Sequence, residues 1–173
     1  MIRAIRIVAT LATVTFLSAG LALPAHAAVP PPPYCYGGPG PVIDDFTYKG
    51  VQVHGVAPCQ WLDAGRSWYF PGGGARLTMQ RDGNLVIYDR NNRPRWATGT
   101  NGSGATQMVF QQDRNIVLYT AGYTRAVWSS RTYLGCGAWA SMLALQSDNN
   151  LVLYCWLRSD HSDMYPIWST GRF

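Results

Sequence analysis

Gln80-Arg81-Asp82-Gly83-Asn84-Leu85-Val86-Ile87-Tyr88 occurs three times in this chain with only its filler residues changed. The second copy is Gln111-Gln112-Asp113-Arg114-Asn115-Ile116-Val117-Leu118-Tyr119, and the third is Gln146-Ser147-Asp148-Asn149-Asn150-Leu151-Val152-Leu153-Tyr154. The copies stand 31 and then 35 residues apart, and each is followed by a tryptophan: Trp96-Ala97-Thr98, Trp128-Ser129-Ser130 and Trp168-Ser169-Thr170. A repeat of this length marks a supersecondary unit that cannot bury its own apolar face and must pack against its copies.

Around each copy the apolar residues alternate. Leu77 and Met79, Met108 and Phe110, and Leu143 and Leu145 precede the glutamines, while Leu85 and Ile87, Ile116 and Leu118, and Leu151 and Leu153 follow the asparagines. Period-two alternation is the pattern of strands with one buried face. Asp82-Gly83, Asp113-Arg114 and Asp148-Asn149 supply turn chemistry between them, most clearly in the Asp-Gly copy. Each unit therefore reads as a β-hairpin that turns its aliphatic residues inward and its Gln, Asn, Val and Tyr outward, with Asp at the turn. Twelve buried aliphatic or aromatic side chains, at about 1.5–3 kcal/mol each, give roughly 20–35 kcal/mol of gross driving force. A single hairpin's four could not hold it folded. Three hairpins around a common axis can, so the expected body is all-β with pseudo-threefold symmetry.

The outward set is two carboxamides, a carboxylate and a phenol around one aliphatic valine. Sugar hydroxyls donate and accept at once and so pair with amides and carboxylates, and the C–H face of a hexose needs an apolar platform. Turn closure explains Asp and Asn, and strand preference explains Val and Tyr. Neither requires the Gln or the same Tyr three times. From average residue usage, such a five-residue pattern arises by chance in well under about one window in a million.

At these residues the chain resembles the bulb-type lectins, also called monocot mannose-binding lectins, whose signature is Gln-x-Asp-x-Asn-x-Val-x-Tyr. All three copies match it at all five positions, and the resemblance covers roughly residues 60–173. It implies a β-prism II fold of three four-stranded sheets around a tryptophan-bearing core, and binding of α-mannose without a metal or other cofactor. It further implies that Asp82 and Asn84 hold the axial 2-hydroxyl, Gln80 the 3-hydroxyl and Tyr88 the 4-hydroxyl, with Val86 against the ring carbons. The same roles pass to Gln111, Asp113, Asn115, Val117 and Tyr119, and to Gln146, Asp148, Asn150, Val152 and Tyr154. Alanine in place of Asn84, Asn115 or Asn150 is expected to remove one site and leave the fold intact, since these side chains face away from the core. The third repeat departs from the others, with thirteen residues between Tyr154 and Trp168 against seven and eight. That insertion, Cys155 to Ile167, is positioned to cover or extend the third site. Family members often dimerise by exchanging C-terminal strands; here the chain ends five residues past Trp168, and a homodimer is left open.

The N-terminal residues read as an export signal. Arg3 and Arg6 precede an apolar run, Ile7 to Leu23, which ends in Ala25-His26-Ala27, small residues at the −3 and −1 positions of a cleavage site. Residues 1–27 are thus expected to be removed and the protein secreted, without membrane insertion. The formal charge then falls from +5 to +3 with the loss of two arginines, too diffuse for nucleic acid. All acids are Asp and thirteen of the fourteen basic residues are Arg, the usage of a GC-rich bacterial genome. Residues 28–58, with Pro30–Pro33 and Gly37-Gly38-Pro39-Gly40-Pro41, read as an irregular leader before a lectin domain over 59–173.

Cys35, Cys59, Cys136 and Cys155 are an even set in an oxidising compartment, which implies two disulfides. Of the three connectivities, nearest-neighbour pairing, Cys35–Cys59 and Cys136–Cys155, is the expected one. No catalytic constellation is visible. There is no Glu and no Gly-x-Ser-x-Gly, and glycoside hydrolysis usually needs paired carboxyl groups. Asp160-His161-Ser162-Asp163 lacks a third spaced ligand group and reads as a solvated loop rather than a metal site. The residues leave open whether the biological purpose is that of a scavenging lectin, an adhesin or a lectin-like antibacterial toxin.

Overall fold

The computed structural model describes Cys35 and residues 42–70, 74–133, 140–158 and 162–171, with the backbone alone over 42–44. The expected signal peptide, most of the leader, and Cys136 lie outside the described residues.

Thirteen strands and a single 3₁₀ turn, Ala121–Tyr123, make up the described body. The three repeat hairpins are β5 (Ala75–Met79) with β6 (Leu85–Asp89), β8 (Ala105–Phe110) with β9 (Ile116–Thr120), and β11 (Ala140–Gln146) with β12 (Leu151–Trp156). Each is followed by the strand carrying its tryptophan: β7 (Pro94–Ala97), β10 (Ala126–Ser129) and β13 (Tyr165–Ser169). The register is the same three times, pairing Trp96 with Ile87, Trp128 with Leu118 and Trp168 with Leu153.

The fourth strand of each sheet comes from the N-terminal part of the chain. Three successive strands, β2 (Val51–Val56), β3 (Gln60–Asp63) and β4 (Arg66–Tyr69), fan out to different sheets and pair with β11, β8 and β5 respectively. They therefore complete the third, second and first repeats in turn, closing the prism in the order opposite to the repeats themselves.

Two expectations are corrected. The sheets are not all four-stranded, because the third has the order β1-β2-β11-β12-β13. Residues 42–58 are not an irregular leader, because β1 (Val42–Tyr48) and β2 form an antiparallel hairpin on the edge of that sheet. The physical reason is local. Phe46 and Tyr48 on one arm and Val51 and Val53 on the other alternate around Lys49-Gly50, whose φ values of +49° and +81° are those of a two-residue hairpin turn.

The twelve inward side chains are all at most 1 % exposed. They enclose Trp96, Trp128 and Trp168, whose rings meet edge to face with centroids 6.0–6.2 Å apart in a nearly equilateral triangle. That geometry is the favourable one for aromatic quadrupoles, and it marks the pseudo-threefold axis. The register shifts in each repeat between the motif tyrosine and the preceding residue, so Arg95, Val127 and Ile167 are bulged. A bulge bends the strand, here just before each tryptophan enters the centre.

Candidate functional site

The motif residues are assembled by the hairpin turns. The amide N–H of Gln80, Gln111 and Gln146 donates to the carbonyl of Asn84, Asn115 and Asn150 at 2.8–2.9 Å. Inside each loop the carboxylate Oδ1 of Asp82, Asp113 or Asp148 accepts from the backbone N–H of that asparagine at 2.9–3.0 Å. One carboxylate oxygen is thereby committed to the turn. The residue after each aspartate has positive φ: Gly83 +93°, Arg114 +75° and Asn149 +70°. At Gly83 the backbone also comes close, since a Cβ would lie 2.9 Å from Ser103 Oγ and 3.1 Å from the Ala105 amide nitrogen.

The asparagine amides are fixed by the segment after each tryptophan. Asn84 Oδ1 accepts from Thr98 Oγ1 at 3.0 Å and the Thr100 N–H at 3.2 Å; Asn115 Oδ1 accepts from Ser130 Oγ at 3.1 Å and the Thr132 N–H at 3.4 Å. Asn150 Oδ1 accepts from Thr170 Oγ1 at 3.0 Å and the Gly171 N–H at 2.8 Å. A backbone N–H only donates, so the atom it meets must be the amide oxygen. The NH₂ half of each side chain is then the half left to a ligand. The asparagines were expected to tolerate alanine with the fold intact; the structure adds that each ties its turn to the segment after the tryptophan, so such a substitution carries a stability cost. Thr98, Thr100, Ser130, Thr132 and Thr170 are the residues that sequence reasoning missed, although a hydroxyl two places after every tryptophan was visible.

Across each hairpin the glutamine Nε2 donates to the motif tyrosine hydroxyl: Gln80 to Tyr88 at 2.6 Å, Gln111 to Tyr119 at 2.9 Å and Gln146 to Tyr154 at 2.9 Å. The phenol oxygen accepts there, which in Tyr88 and Tyr154 leaves the hydroxyl proton to donate outward. Val86, Val117 and Val152, only 1–3 % exposed, form the floor between these polar groups. The structure thus brings each set of five together on one sheet face. In the third repeat all five line a single cleft of about 250 Å³.

The three faces differ beside the tyrosine. The cross-strand partner of Tyr88 is Arg76, whose guanidinium lies 4.2 Å from the ring centroid. Tyr119 packs edge-on against Tyr123 at 5.7 Å, and Tyr154 against Tyr48 of β1 at 5.5 Å. Burial, opposed by the Gln146 hydrogen bond, raises the Tyr154 pKa above the ordinary phenol value, with Tyr48 and Asp148 adding to the rise. It is therefore a neutral donor throughout the physiological range. Burial likewise raises Tyr123, against a hydrogen bond from Gln107.

Cys35 and Cys59 are disulfide-bonded, as expected, with Cα atoms 5.3 Å apart. Cys155 is disulfide-bonded too, and its expected partner Cys136 lies outside the described residues. Asp163 accepts hydrogen bonds from the backbone N–H of Leu157 and Arg158 at 3.1–3.2 Å, closing the loop of the third-repeat insertion. Asp160 and His161 lie outside the described residues, among which no group of three potential metal ligands is found.

A mannose-specific lectin from Aloe arborescens is 33 % identical to this chain over 104 residues, 60 % of this chain and 84 % of that protein. The chain belongs to the bulb-type mannose-binding lectin family. Solved structures of the family agree in fold. A monomeric monocot mannose-binding lectin from Gastrodia elata superposes with a TM-score of 0.55 at 37 % identity, covering 68 % of this chain and 94 % of that one. The mannose-specific agglutinin of snowdrop (Galanthus nivalis) bulbs, complexed with methyl α-D-mannoside, gives 0.51 at 31 % identity, covering 60 % and 91 %. No family model matches the chain. As a bulb-type lectin it is a carbohydrate-binding protein and not an enzyme.

Proposed function

We propose that this bulb-type lectin is a secreted, metal-independent binder of α-mannose-type glycans with three sites, one on the outward face of each hairpin. The observation that carries the proposal is the repeated orientation of the polar set. In all three repeats the asparagine oxygen is occupied and its NH₂ half is left, one aspartate oxygen is occupied and the other is left, and the tyrosine accepts from glutamine, with Tyr88 and Tyr154 keeping their proton to donate. Each face therefore offers a carboxylate acceptor beside an amide donor above an apolar valine, and the first and third add the tyrosine hydroxyl as a second donor. The carboxylate and amide suit one hydroxyl that both donates and accepts, and the glutamine and tyrosine suit its ring neighbours. With the residue roles that the family implies, these become the 2-, 3- and 4-hydroxyls of mannose. The bound mannoside of the snowdrop agglutinin, 31 % identical, supports that choice of sugar. The disulfide state of Cys35, Cys59 and Cys155 supports export to an oxidising compartment.

Calorimetric titration of the exported protein with methyl α-D-mannoside in a chelator tests the reading. Binding should persist in the chelator, and methyl α-D-galactoside, with its axial 4-hydroxyl, should not compete. Loss of binding on chelation, or a preference for the galactoside, contradicts it.

A further inference from the structure

Building on that reading, we infer that the third site takes a neutral manno-oligosaccharide rather than a single sugar, its second ring lying against a wall formed by the N-terminal hairpin. The cleft that holds Gln146, Asp148, Asn150, Val152 and Tyr154 is also lined by Tyr48, Lys49 and Val51. These three come from β1, the β1–β2 turn and β2. Among the described residues only the third sheet has a fifth strand, and none of them forms an equivalent of β1 beside the first or second site.

The wall is anchored at both ends. The Tyr48 ring packs edge-on against Tyr154, and its hydroxyl donates to the Met164 carbonyl at 2.8 Å. Met164 belongs to the third-repeat insertion and is buried with Tyr154, Trp156 and Met142 in a second apolar cluster on this outward face. The insertion therefore braces the wall, and the cleft remains open between hairpin and motif.

Lys49 is the informative residue. It is the only lysine in the sequence, and it occupies the first position of a turn whose two residues both have positive φ. Asn-Gly is the favoured pair in such a turn, and a lysine held there carries left-handed strain. Its ammonium stands 5.2 Å from the Tyr48 ring centroid, at the cleft rim. It offers three rotatable donors over the Tyr48 ring and near the apolar Val51, a combination suited to a second sugar's hydroxyls and C–H face. Lys49 and Asp148 are the charged residues lining the cleft, and their opposite signs match a neutral glycan rather than an acidic one.

Reductive methylation with ¹³C-formaldehyde labels Lys49 and the N-terminal amine while keeping the lysine charge. In a background of Asp82→Asn and Asp113→Asn, the Lys49 resonance should move on titration with linear mannobiose and mannotriose, and much less with methyl α-D-mannoside. Mannotriose should bind about 5- to 10-fold more tightly than the monosaccharide, as one or two added hydrogen bonds allow. Lys49→Asn, which suits the turn and should fold at least as well, should reduce that ratio. Equal affinities for both ligands and an unmoved Lys49 signal would overturn the inference while leaving mannose binding in place. No binding of methyl α-D-mannoside to the parent protein would instead remove the reading on which it rests. A salt-sensitive preference for an acidic oligosaccharide over mannotriose would overturn the choice of ligand.

Discussion

Each motif asparagine serves the fold with one half of its amide and, in the proposed function, offers the other half to the ligand, so truncation would remove both at once. Asn84→Ala strands the Thr98 hydroxyl and the Thr100 N–H, which lose their common acceptor. The expected cost is about 1–3 kcal/mol of stability together with loss of the first site. Asp82→Asn keeps an oxygen for the Asn84 N–H while removing the carboxylate, so it should abolish binding there with stability changed by less than about 0.5 kcal/mol. Urea unfolding of the two variants, alongside the parent, checks both; equal stability losses would contradict the division of roles. The five motif positions were legible in the sequence because a fixed offset, repeated three times, is a one-dimensional signal. The second role of the asparagine was not, because its partners lie 14–21 residues away, across a bulged strand whose register local periodicity does not set.

The β1–β2 hairpin is the element that makes the third face unlike the others. It lies within the 24-residue separation closed by the Cys35–Cys59 bridge, which ties the leader to the start of β3. Opening a loop of that length costs about 3 kcal/mol in the chain-entropy model. Cys35→Ser with Cys59→Ser should therefore lower the urea midpoint by that equivalent, and it should also lower the mannotriose-to-monosaccharide affinity ratio as the wall loosens. An unchanged midpoint would contradict the account of the bridge. The hairpin was hidden from composition because Pro30–Pro33 and the Gly37–Pro41 stretch suggested a leader longer than it is. Its own signal was present in the alternation Phe46, Tyr48, Val51, Val53 about Lys49-Gly50. The fan of β2, β3 and β4 into three sheets was less accessible still, since strands of four to six residues carry little periodicity and their partners are set by the packed core.

The described residues form a threefold body whose third side carries a fifth strand. The central triangle of Trp96, Trp128 and Trp168 joins three sheets, twelve of whose inward hairpin residues were readable from alternation, and three sets of polar residues face outward. A lone monosaccharide site makes few contacts against a large ordering cost and binds weakly. Three sites on one rigid body can gain about 100-fold or more in avidity for a branched mannan without any new contact. The most direct test is the stoichiometry of methyl α-D-mannoside binding, measured by calorimetry as Asp82→Asn, Asp113→Asn and Asp148→Asn are introduced in succession. The account predicts three sites per chain, then two, one and none, with avidity for branched mannan falling more steeply than the affinity of the surviving sites. A triple variant that remains folded and binds mannan as the parent does would contradict it, placing the glycan surface away from the hairpins.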